Sequence, residues 1–76
     1  MLPFAVQISA AGEEATAQRL AESVAADVDA PIFIDVTEQY WKVRVGAFAT
    51  RAEAEGLLEQ MQAMGFTDAW IVERSP

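Results

Sequence analysis

Sliding the sequence against itself by 37 residues lays FAVQISA on WKVRVGA and EEATAQRLAESVAA on TRAEAEGLLEQMQA. Ala10 and Ala47, Ala15 and Ala52, Ala17 and Ala54, Leu20 and Leu57, Glu22 and Glu59, Ala26 and Ala63, and Ile34 and Ile71 are then identical. A duplicated unit this short cannot bury its own apolar face, so the two copies must share one core. Each copy reads strand, helix, strand. Together they predict an α+β chain with βαββαβ order, a split-βαβ ferredoxin-like fold with a four-stranded antiparallel sheet and two helices on one face. One domain is expected over residues 1–76, with half-repeats of about 4–36 and 41–74.

The apolar periods support each element. Phe4, Val6 and Ile8 alternate with Ala5, Gln7 and Ser9, as a half-buried strand requires. A helix over about 13–28 carries Ala17, Leu20, Ala21, Val24 and Val28 as its apolar stripe. Pro31 opens IFIDV, with Ile32, Ile34 and Val36 on one face, and 37–39 make a short connection into YWKVRVGAF. Thr50 and Glu53 have capping-box spacing, and Ala54, Leu57, Leu58, Met61 and Met64 follow as core positions of the second helix. Gly56 interrupts that helix and predicts a close approach of helix to sheet. Gly65 ends the helix, and a last strand is expected over about 68–73.

Composition removes several functions. The chain has no cysteine and no histidine, which excludes disulfides, thiolate metal sites and the usual general base near neutral pH. No carboxylates are paired suggestively, so neither enzyme activity nor a cofactor is expected. A net charge of −7 is the wrong sign for nucleic acid or for an anionic membrane surface. No apolar run nears the ~20 residues of a membrane span. The start, MLPFAVQ, lacks the basic region of a signal peptide, so any export signal is expected outside this segment.

Charge is nonetheless divided by face. The first helix carries Glu13, Glu14, Glu22 and Asp27 against Arg19, and the second carries Glu53, Glu55 and Glu59 against Arg51. In the usual strand order, 4-1-3-2, the first and third strands are central. Gln7, Ser9, Tyr40, Lys42 and Arg44 then occupy the middle of the sheet face away from the helices. Alternation places Trp70 on that face too, and Trp41 in the core opposite it. Aromatic rings and cations on an open face suit an extended anionic or sugar-like ligand, since rings stack on apolar C–H faces while amides and guanidiniums donate hydrogen bonds. The same residues also serve as an ordinary solvated sheet face, with Arg44 and Lys42 paired to Asp35 or Glu38.

The residues resemble the SPOR domain (sporulation-related repeat). The resemblance rests on VQISA before the first helix, and on an aromatic strand, an R-V-G-x-F turn, a T-R-x-E-A helix start and a leucine pair in YWKVRVGAFATRAEAEGLL. AMGFTDAWIVER is similar to the close of such domains, so the resemblance covers about 4–74. It implies a non-catalytic, bacterial envelope module that binds peptidoglycan, specifically glycan strands lacking stem peptides, and so targets a parent protein to the division septum. It further implies that glycan contacts fall on Gln7, Tyr40, Lys42 and Trp70, within a candidate set of Gln7, Ser9, Tyr40, Lys42, Arg44 and Trp70. The first motif departs from the usual V-Q-x-G-S-F: Ser9 stands for the glycine, Ala10 for a small polar residue and Ala11 for the aromatic.

Two other classes fit the same elements. The second strand, IFIDVT, is a candidate edge for β-augmentation in a protein assembly module. A small-ligand regulatory domain on this fold is the other. An RNA-recognition module would need exposed aromatics on both central strands, and the first strand offers Ala5, Gln7 and Ser9.

Overall fold

The computed structural model describes residues 2–74, so positions 1, 75 and 76 of the expected domain lie outside the described residues. The elements are β1 (Phe4–Ala11), α1 (Glu14–Asp27), β2 (Ile32–Thr37), β3 (Tyr40–Phe48), α2 (Arg51–Ala63) and β4 (Trp70–Glu73). The strands form one antiparallel sheet in the order β2-β3-β1-β4, which is the expected arrangement. β1 and β3 are central, and β2 and β4 are the edges.

Both helices cover one sheet face. Val6, Val45, Val24, Val28, Leu57, Met61 and Ala69 form the main core, and Ala11, Ala17 and Val43 form a second cluster beside Trp41. Fully burying such side chains contributes ~1.5–3 kcal/mol each, which a chain this small needs. Leu20, Ala21 and Leu58 pack against these clusters from the helices. Met64 does not join them: it is 38% exposed at the C-cap of α2, one residue past the last helical position, Ala63. Val36 is 60% exposed as well, near the hairpin end of β2.

Local chemistry sets the element ends. Thr50 Oγ1 accepts from the Glu53 N–H, and Glu53 Oε1 accepts from the Thr50 N–H, completing the expected capping box. At the other end of α2, the Phe66 N–H reaches the Met61 carbonyl and the Gly65 N–H reaches the Gln62 carbonyl. Gly65 sits at φ 106, which only glycine adopts without strain, and Phe66 packs back on the core. α1 begins without a side-chain cap at Glu13. The β2–β3 hairpin turns on two residues, Glu38 and Gln39, both at positive φ (54 and 74), a type I′ turn built without glycine or asparagine.

Gly56 has a different role from the one its position in the helix suggested. A Cβ there would meet nothing within 4 Å, so it faces away from the sheet and permits no close approach. Gly46 is the glycine that does. At φ 87 it lies inside β3, where a Cβ would stand 2.5 Å from the Phe48 ring and 2.7 Å from Leu57. The R-V-G-x-F segment is therefore a bulge within a continuous strand. The register slips by one residue between Val45 and Phe48, so both side chains face the helices.

Candidate functional site

The face away from the helices is organised by one transverse row. Trp70 of β4 stands opposite Gln7 of β1, Gln7 opposite Arg44 of β3, and Arg44 opposite Phe33 of β2. The 37-residue offset of the repeat carries Gln7 onto Arg44 and Phe33 onto Trp70. The row is thus a palindrome of the duplication, with an aromatic at each edge and a polar pair at its centre. Arg44 Nε donates to Gln7 Oε1 at 3.0 Å. Gln7 is 9% exposed and Trp70 is 56% exposed. Ala5 and Val72, on the same face by alternation, are almost fully buried.

Next along β3, Lys42 lies opposite Asp35 of β2 and Ala10 of β1. Tyr40 follows at the hairpin, opposite Thr37 and 48% exposed. Of the expected site residues, Gln7, Lys42, Arg44, Tyr40 and Trp70 share this face. Ser9 does not. A second bulge in β1 inserts one residue between Gln7 and Ser9, and Ser9 then pairs with Val43, a fully buried core residue on the helix side. The expected outward position of Ser9 is corrected for that reason, and Ala10 takes the place beside Lys42.

Asp35 is the electrostatic centre of the face. It receives Arg44 Nη1 at 3.0 Å, Arg74 Nε at 2.7 Å and Arg74 Nη2 at 2.9 Å. The Arg74 hydrogen bonds hold the Asp35 carboxyl below its ordinary range, burial opposes them, and Arg44 adds to the lowering. Asp35 in turn raises the Arg74 guanidinium. Arg74 also lies over Phe33, its Cζ 3.8 Å from the ring centroid, so that ring is capped while its repeat-mate Trp70 is open. Three of the five basic residues (Lys42, Arg44 and Arg74) therefore gather on this face of an otherwise acidic chain.

Sequence reasoning passed over Arg74 and Phe33. Phe33 had a legible signal, since alternation with Ile32 and Ile34 turns it outward. Arg74 had none, because it follows the last strand, and its reach to Asp35 of β2 depends on the folded sheet. Among the described residues, no group of His, Cys, Asp or Glu could hold a metal, and no helix is long and apolar enough to cross a membrane.

The SPOR domain family model matches residues 3–73. The chain belongs to the SPOR family. A comparison with curated proteins returns no match. Among solved structures, the chain is similar to the solution structure of the peptidoglycan binding domain of the B. subtilis cell wall lytic enzyme CwlC. The two share 28% identity with a TM-score of 0.80, over 99% of this chain and 92% of that one. This SPOR domain thus has the four-stranded sheet and helix pair of that neighbour, with the Trp70–Gln7–Arg44–Phe33 row across the face away from its helices.

Proposed function

We propose that this SPOR domain is a non-catalytic module whose open sheet face binds peptidoglycan. Its ligand is the glycan strand from which stem peptides have been removed. Such strands mark the division septum, so the module holds a parent protein there, within the bacterial cell envelope. Residues 1–76 serve as one binding domain, and its contacts are Gln7, Tyr40, Lys42, Arg44 and Trp70.

The observation that carries this reading is the transverse row, found in a chain that resembles a peptidoglycan binding domain over nearly all its length. An exposed indole offers a flat apolar platform for the C–H face of a pyranose. Gln7 and Arg44 lock each other beside it, so their remaining donors and acceptors meet sugar hydroxyls and amides without a large entropic cost. Acidic helices on the far side do not repel an anionic strand strongly, because the Debye length is ~8 Å at physiological ionic strength.

Co-sedimentation with purified sacculi tests the proposal. The domain should pellet with sacculi pretreated with an amidase that strips stem peptides, and far less with untreated sacculi. Equal pelleting would remove the stem-peptide selectivity, and no pelleting with either would remove peptidoglycan binding.

A further inference from the structure

Beside Asp35 lies an open cleft of about 430 Å³, lined by Ile34, Asp35, Val36, Thr37, Arg44, Glu73 and Arg74. Two guanidiniums converge there on one carboxylate, which leaves donors to spare. Asp35 takes Nη1 of Arg44 and Nε and Nη2 of Arg74, and Gln7 takes Nε of Arg44. Among the described residues, Nη2 of Arg44 and Nη1 of Arg74 have no hydrogen-bond partner. Arg44 and Arg74 thus face Asp35 and Glu73 around the cleft, and Lys42 stands opposite Asp35 in the strand register beyond its lining. Arg74 is held on two sides, by Asp35 and by the Phe33 ring, so its fork is pre-organised.

We propose that this cleft is a carboxylate subsite, in which Arg44 and Arg74 receive a free carboxylate carried by the bound sugar strand. The inference rests on the glycan reading above and adds a chemical reason for its selectivity. In peptidoglycan the stem peptide is joined by an amide to the lactyl carboxyl of muramic acid. Removing the peptide exposes that carboxylate, and a peptide-bearing strand has none to offer at the same point. The two ends of the row then differ. Trp70 takes an apolar sugar face at one edge, and the Arg74-capped edge takes the acid. Charge-assisted, forked hydrogen bonds to a carboxylate supply the discrimination.

The test compares stripped glycan strands with the same strands after their carboxyls are converted to methylamides. Wild type is expected to bind the methylamide form at least tenfold more weakly. Arg74→Gln should bind both forms alike, at the weaker level. Arg74→Lys, which keeps the charge but loses the fork, should retain part of the preference. Equal wild-type binding to both forms would overturn the carboxylate subsite and leave glycan binding standing. Binding to neither form would overturn the glycan reading and this subsite with it.

Discussion

Gln7 and Arg44 are separated by the repeat interval itself, 37 residues, and face each other across the two central strands with Arg44 Nε 3.0 Å from Gln7 Oε1. Equivalent positions of the two half-repeats thus meet at the sheet's pseudo-two-fold axis. The two positions carry an amide and a guanidinium, which form a donor–acceptor pair. The aromatics at the edges differ similarly: Trp70 is open, whereas Phe33 lies under Arg74.

Trp70 and Gln7 should separate binding from stability. Trp70→Ala removes a side chain already 56% exposed, so unfolding free energy should change by less than about 1 kcal/mol. Sedimentation with stripped sacculi should fall by roughly tenfold, because the stacking platform is lost. Gln7→Ala should weaken binding also, with a larger stability cost, since Arg44 Nε loses its partner. Urea titration alongside the pelleting assay checks both.

Asp35→Asn should destabilise the domain by about 1–3 kcal/mol at neutral pH, because it leaves two adjacent guanidiniums without their carboxylate in a partly exposed setting. The folded-state pKa of Asp35 is lowered from an ordinary 3.8. Its contribution is therefore complete above that value and is lost as pH falls through the lowered one. The stability gap between wild type and variant should be constant from about pH 5 to 8 and should narrow below about pH 4. Urea midpoints at pH 7 and pH 3 measure it.

The bulge in β1 makes two neighbouring serine substitutions unequal. Ala10→Ser places a hydroxyl on the open face beside Lys42, and should strengthen glycan binding a few-fold. Ser9→Ala alters a position paired with buried Val43, and should leave binding nearly unchanged. Paired binding isotherms on stripped strands distinguish the two.

Two glycines should respond in opposite directions. Gly56→Ala removes a poor helix former at an open position, and should stabilise the domain by about 1 kcal/mol. Gly46→Ala forces a Cβ against Phe48 and Leu57 at φ 87, and should cost about 2 kcal/mol or more. Thermal melts of both variants compare them.

Much of the fold was legible because duplication, period-2 strands and capping chemistry all pointed to one arrangement. The Thr50–Glu53 box and the Gly65 stop are local devices, readable from a few residues each. Five of the six expected site residues fell on the open face because alternation holds within an unbroken ladder. Ser9 escaped because a bulge resets that alternation, and no residue type in QISA announces the insertion. The Glu38–Gln39 turn was readable only as a short connection, since its positive φ values come from strand twist acting on residues that do not favour them. Arg74 was out of reach for another reason. Its hydrogen-bond partner Asp35 is 39 residues away on the opposite edge strand, and only tertiary structure brings them together.

The most direct measurement is a two-dimensional NMR titration of the isotopically labelled domain with soluble, peptide-free glycan strands. Shifts should concentrate at the Gln7 side-chain amide, the Trp70 indole N–H, the Arg44 and Arg74 Nε–H groups and the backbone of Lys42. The exposed sides of α1 and α2 should stay still. Shifts confined to the helices, or spread evenly over both faces, would contradict a glycan site on the open sheet.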